Sequence, residues 1–393
     1  MGLAECLARI DARDGAVRGW THIDRAATGG EGSLAGVVLG VKDVIDVAGM
    51  PTTHGSPAFA GNIAAADAEC VARLRRAGAV VLGKTVTAEF ATYSPGPTRN
   101  PWNGGHTPGG SSSGSAAVVA DGQADIAFGT QTAGSMIRPA SFCGTIGFKP
   151  SFGRYPTAGV LETSHSLDTI GLFARTIDLL DRADAAVAAE PAAPMPNPAL
   201  RIGLCRTPMW DEAGPTMQGA FSDFAARLSA AGFGCADVGL PASYAGLIEA
   251  QALIHRREAW MLLSPIRKAH EGEVTQMFRD FLDAGERETE ADYQAALALQ
   301  QACKAQLDGV FANVDLLLAP SAPGVAPEGL ASTGNPVFQR IWTALGVPCL
   351  GFPAAWAEGL PLGLTLVARP GADRQLIADA RAILALGQFK EPL

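Results

Sequence analysis

The sequence predicts an α/β fold in which helices layer onto a central sheet. Three observations carry that expectation. Short apolar runs alternate with helical patterns from residue 36 to about residue 144, as strand–helix–strand layers require. Short apolar segments bounded by proline return after residue 313. With 48% hydrophobic and 18% charged residues in 393, the chain has ample apolar surface for a large core.

The elements follow in order. Leu3, Leu7 and Ile10 recur at helical spacing, with no basic leader or continuous apolar run of a targeting segment. GVVLGVKDVIDV at 36–47 reads as strand. AADAECVARLRRAG at 65–78 places Val71 and Leu74 on one face, arginines opposite and Gly78 at its end, and reads as helix. AVVLGKT at 79–85 is then a short buried strand. A helix at 115–122, a strand at 124–130, a helix starting within 137–144 and a helix at 177–189 continue the pattern. A proline-rich connector at 191–200 leads into a strand at 201–205. Residues 215–312 form a helical variable region whose charge runs read as solvated helix faces. Strands at 315–323, 346–353 and 361–370 and a closing helix at 373–386 complete one domain spanning residues 1–393.

Composition excludes several function classes. The net charge of −9 opposes non-specific binding to nucleic acid or to an anionic membrane. Seven scattered cysteines with no C-x-x-C pair predict neither a zinc nor a redox site and fit a reduced, cytoplasmic setting. No stretch of eighteen uninterrupted apolar residues predicts a membrane span.

Two motif matches fail on context. GAVVLGKT at 78–85 matches G-x-x-x-x-G-K-[ST] letter for letter. A phosphate cradle needs a mobile loop of amide donors between its glycines, and here the intervening Ala79, Val80, Val81 and Leu82 are the strand itself. Gly110 to Gly114 matches G-x-S-x-G, but a nucleophile elbow needs a preceding strand, and TRNPWNGGHTPG is too rich in Pro, Gly and Asn to be one. None of the six histidines, His255 included, has a context suggesting a Ser-His-Asp hydrolase; each reads as a surface or packing residue. Ser112, Ser113 and Ser115 read as helix-capping and hydrogen-bonding residues.

GTQTAGSMIRPASFCG at 129–144 carries a chemical signal. A strand runs into a loop from Gly129 to Gly134, and a helix begins near Ser135. Such a loop aims successive backbone N–H groups into one space with the helix dipole behind them, the geometry that holds an oxyanion, and Ser135 sits at its mouth. Taken with GVKDVIDVAGMPTTHGS at 40–56, LGKT at 82–85, TRNPWNGGHTPGGSSSGSAA at 98–117, GFKP at 147–150 and VARPGAD at 367–373, the chain resembles the amidase signature family of serine hydrolases. The resemblance covers a core at 34–180 and, more loosely, residues 313–386.

The resemblance implies a large central mixed β-sheet covered by helices on both faces. It also implies Ser135 as nucleophile, Ser111 as bridging serine after a cis Gly110–Ser111 peptide, and Lys42 as base. The oxyanion hole would be the N–H groups of Thr132, Ala133, Gly134 and Ser135, with Gly110, Gln131 and Arg138 in contact with substrate. No cofactor or metal is implied. Elementary chemistry agrees: a serine hydroxyl needs a base to attack a carbonyl at neutral pH, and a lysine serves only when burial lowers its pKa from about 10.4. Lys42 lies in an apolar run, so burial is expected.

Ala133 departs from the family's more usual glycine; it keeps its N–H but must sit at negative φ. Gln131 with Arg138 is most similar to the malonamidase-like branch, where the arginine is associated with a substrate carboxylate. The other reading is a structural arginine paired with a nearby acid. Residues 89–94 and 332–345, with Trp342, are candidates for the pocket wall. The limited helical region favours a small, polar amide or urea-like substrate over a fatty-acid amide. The alternative is the glutaminase-type subunit of a tRNA-dependent amidotransferase; a non-catalytic binding protein is disfavoured by the presence of Lys42, Ser111 and Ser135. Expected partners are a small-molecule amide and at most a second copy in a homodimer, with no nucleic acid and no membrane.

Overall fold

In the computed structural model, which describes residues 2–390, eleven strands form one mixed sheet. They are β1 (Trp20–Ile23), β2 (Val38–Lys42), β3 (Val80–Thr85), β4 (Ile126–Gln131), β5 (Ile146–Lys149), β6 (Thr169–Ala174), β7 (Arg201–Leu204), β8 (Gly234–Asp237), β9 (Leu316–Pro320), β10 (Cys349–Ala357) and β11 (Leu360–Val367). Their spatial order is β1-β3-β2-β4-β6-β5-β10-β11-β9-β7-β8. Strands β3, β2 and β4 run parallel, the central strands from β4 to β9 pair antiparallel, and β9, β7 and β8 are parallel again. This is the layered α/β architecture expected.

Alternation along the strands divides the core in two. Leu39, Val41 and Phe128 point into one apolar cluster; Val38 and Ala127 point into the other, which holds the helices Ser113–Ala120 and Ile137–Cys143. Because both faces are covered, the strands read as continuous apolar runs. The pattern 36–47 is strand only to Lys42: the Lys42 carbonyl accepts from the N–H groups of both Val44 and Ile45, which turns the chain out of the sheet. Val80–Thr85 is a fully buried strand, so the phosphate-loop match is structural only.

The region 215–312 is not uniformly helical. Its first part, helix Pro215–Ala230 and strand β8, closes one sheet edge. The helices Leu247–Ala269, Gln276–Arg287 and Glu290–Lys304 then pack together over the rest. Their charges are not all solvated. Glu258 is fully buried and accepts hydrogen bonds from Ser164, Ser166 and Tyr293, fastening the longest helix to the segment before β6. No helix among the described residues is long and apolar enough to cross a membrane.

Candidate active site

The parallel strands β2 and β4 run side by side, with Val41 opposite Phe128, so Lys42 and the 132–135 loop emerge at the same carboxyl edge, the strand running three residues beyond the expected loop start at Gly129. Ligands of open α/β sheets bind at such edges. Lys42 is fully buried, and its Nζ lies 2.8 Å from Ser111 Oγ and 2.7 Å from Thr130 Oγ1. It makes no salt bridge among the described residues. Burial lowers its pKa to about 7, opposed by the negative charge of Asp168.

Two other buried lysines show what sets Lys42 apart. Lys84 donates to Asp43 at 2.9 Å and also to Thr52 Oγ1 and the Pro51 carbonyl; burial lowers its pKa, and the Asp43 carboxylate opposes that by favouring the charged form. Lys149 donates to the Pro150 carbonyl, an acceptor with no proton to give. Only Lys42 of the three is bonded to hydroxyls alone, groups that can donate a proton as well as accept one.

Ser111 follows a cis peptide bond at Gly110, as the resemblance implies. The Gly110 carbonyl accepts from Arg138 Nη2 at 2.6 Å, so the polar oxygen of a residue expected at the substrate is engaged within the protein. The other serines of the run do not cap the helix Ser113–Ala120. Ser112 and Ser115 instead donate to the carbonyls of Thr130 and Phe128, and Ser113 to that of Val86. They seat the helix on the sheet. Gly129 makes room for this, since a Cβ there would lie 2.8 Å from Ser112 Oγ and 2.5 Å from Met136 Sδ.

Around Ser135 the backbone is fixed by its carbonyls. Gln251 Nε2 donates to the Thr132 carbonyl at 2.8 Å, Thr343 Oγ1 to that of Ala133 at 2.8 Å, and the Arg138 N–H to that of Gly134. No hydrogen bond from the N–H groups of Thr132, Ala133, Gly134 or Ser135 is found among the described residues. Ala133 is not among the positive-φ residues, so alanine is accommodated without strain. Gly134 sits in close quarters: a Cβ would lie 3.0 Å from Pro336, tighter than most such contacts.

The Gln131 amide is engaged inside the fold. It is fully buried; its Oε1 accepts from the N–H groups of Met136 and Ile137, and its Nε2 donates to Thr343. It shapes the start of helix Ile137–Cys143 immediately after Ser135. Both polar atoms of its amide have partners inside the fold, which favours a positioning role over the expected substrate contact.

Ser135 opens into a narrow cavity of about 20 Å³ lined by Ala91, Thr92, Tyr93, Thr132, Ala133, Arg138, His255, Thr333 and Pro336. Of the expected wall, Ala91–Tyr93, Thr333 and Pro336 are there. Glu89 instead binds Ser56 and Thr275, and Trp342 is fully buried in the core. Arg138 is buried and meets no carboxylate within 4 Å among the described residues; its Nη2 bonds Gly110 and Thr333, and its Nε has no partner. Desolvation lowers its pKa to about 10. The reading of Arg138 as one half of an ion pair therefore fails.

Two residues were missed. His255, read from the sequence as surface or packing, lines the cavity and is 4% exposed, with neither ring nitrogen partnered. Asp168, buried beside Thr132, accepts from Thr132 Oγ1 at 2.5 Å and from the N–H groups of Thr163 and Ser164. No local pattern marks either, since each reaches the site only through tertiary packing.

Comparison with known proteins places this arrangement. A family model described as Amidase matches residues 12–377. A glutamyl-tRNA(Gln) amidotransferase subunit from Synechococcus sp. (strain RCC307) is 32% identical over 90% of this chain and 84% of its own. A crystal structure of an amidase superposes with a TM-score of 0.87 at 31% identity, covering 96% of this chain and 93% of that one. A structure from a vestigial protein complex bearing on the origins of an s-triazine catabolic enzyme superposes at 0.90, with 27% identity over 100% and 95% of the two chains. The chain belongs to the amidase signature family and is an amide-cleaving hydrolase.

Proposed function

We propose that the protein hydrolyses a small, carboxylated amide through an acyl-enzyme on Ser135. The observation that carries this reading is the buried Lys42 amine, bonded only to hydroxyls, one of them Ser111. Neutral Lys42 takes the Ser111 proton as Ser111 takes that of Ser135, and Ser135 Oγ attacks the amide carbon. The N–H groups of Thr132 to Ser135 hold the oxyanion, where one such donor contributes about 2.7–4 kcal/mol to the barrier. Ser111 then returns the proton to the leaving nitrogen, and water hydrolyses the ester. The unpaired Arg138 in the cavity wall supports a carboxylated substrate, since guanidinium is suited to bidentate carboxylate capture.

The test is ammonia release from a panel of short amides, ureas, half-amides of dicarboxylic acids and glutamine. Ser135→Ala is expected to lower turnover by at least about 10³-fold; turnover at the wild-type rate would remove Ser135 as nucleophile. A second reading, the glutamine-hydrolysing component of a tRNA-dependent amidotransferase, is favoured by the name shared by curated relatives at 31–33% identity. Glutamine also carries a carboxylate for Arg138. Glutaminase activity that rises when partner proteins and charged tRNA are added would decide for it.

A further inference from the structure

His255 is the polar group in the cavity that the proposed chemistry leaves unused. It comes from the long helix Leu247–Ala269, and it reaches the same cavity as Ser135 and Arg138. Both ring nitrogens are buried and unpartnered. In either tautomer such a ring has one N–H to donate and one lone pair to fill, and native structures rarely leave both unsatisfied. The other orphan in this wall is Arg138 Nε. Two donors without a partner among the described residues therefore line one small cavity.

The surroundings exclude a role as base. His255 hydrogen-bonds no carboxylate that could orient it or stabilise an imidazolium. The charges that bear on it are the guanidiniums of Arg340 and Arg256, which together with burial hold it neutral. Its ring packs beside Tyr93 and Phe281, with centroids 6.5 and 5.0 Å away. A neutral N–H among cations is suited to an anionic oxygen and makes a poor proton acceptor.

We propose that His255 is a substrate-binding residue that, with Arg138 Nε, hydrogen-bonds the carboxylate of a short half-amide whose amide group lies at Ser135. This rests on the carboxylated-amide reading and adds the second contact that selects for it. Arg138 alone would bind any anion entering the cavity; a second donor of fixed direction selects the length between amide and carboxylate.

The experiment measures KM and kcat of the full chain for half-amides of three- and four-carbon dicarboxylic acids and for neutral monoamides of the same lengths. His255→Leu is expected to raise KM for the half-amides at least about 10-fold, and KM for neutral amides less than twofold. His255→Gln, which keeps an N–H donor, should recover most of that loss. Equal changes on both substrate types, or none, would overturn the proposal. A third measurement needs no variant at the site: the His255 imidazole nitrogen resonances of the wild-type protein should shift when the product dicarboxylate is added, and resonances that stay in place at saturation would overturn it as well. Failure of the Ser135 reading shows elsewhere, in undiminished turnover by Ser135→Ala.

Discussion

Lys84 Nζ meets the Asp43 carboxylate at 2.9 Å with both side chains fully buried, on the strand next to a lysine whose amine has no carboxylate partner. Asp43 directly follows Lys42 in the chain, yet its charge is committed to Lys84. The charge that does bear on Lys42 is that of Asp168. One buried lysine has a carboxylate partner, and its neighbour has hydroxyl partners only.

That division predicts a pH profile. The competent form of Lys42 is deprotonated, and burial places its pKa at about 7. kcat/KM should therefore fall as pH drops through about 7, with a slope of one proton, and level off above it. An ordinary lysine would put this limb near 10.4. Lys42→Arg, with a guanidinium that does not deprotonate, should lose the limb together with at least about 10²-fold in rate. A limb above pH 9 in the wild-type enzyme would refute the assignment.

Breaking the ion pair on one side leaves a buried charge without its partner. Asp43→Ala should destabilise the fold by about 3–5 kcal/mol, read from the denaturant midpoint. Lys84→Met together with Asp43→Leu should cost much less, because both charges leave at once. Equal losses for the single and double variants would mean that the pair contributes by packing alone.

The sequence made the sheet's parallel half and the motif loops readable for a physical reason. β2, β3 and β4 are buried on both faces and therefore apolar throughout, and the loops that follow carry runs of glycine and serine. β1, with the partly exposed pattern of Trp20–Ile23, and β8, GCAD on the far edge, lack that signal and are not predicted; β5 and β6 are fully buried yet are not predicted either, each being a short run next to motif or loop residues. Lys42, Ser111 and Arg138 could be named because each lies inside a long motif. His255 could not, since HRRE reads as a charged helix face until packing turns one residue inward. Gln131 shows the opposite failure: its place in the motif was right, but sequence does not tell whether an amide faces substrate or the N–H groups of the next helix.

Gln131 makes that distinction measurable. Gln131→Leu leaves the Met136 and Ile137 N–H groups without their acceptor and frees the backbone beside Ser135. A displacement near 1 Å at a reacting group costs on the order of 10² in rate. We expect kcat to fall about 10- to 100-fold with KM within about twofold. A change confined to KM would restore Gln131 as a substrate contact.

Asp168 gives the sharpest electrostatic test. Its carboxylate is buried, which raises its pKa, but hydrogen bonds from Thr132, Thr163 and Ser164 favour the ionised form. That negative charge is the one that raises the pKa of Lys42 against the effect of burial. Removing it leaves desolvation unopposed, so Asp168→Asn should move the acid limb of kcat/KM below its wild-type position. Loss of the Thr132 contact would also slow the reaction at every pH, and the limb's position separates the two effects. Thr132→Val breaks the same hydrogen bond without removing the charge; it should lower the rate and leave the limb where it is. If Asp168→Asn lowered the rate with no displacement of the limb, Asp168 would serve only to brace the oxyanion loop, and the basicity of Lys42 would be set by burial and its two hydroxyl partners alone.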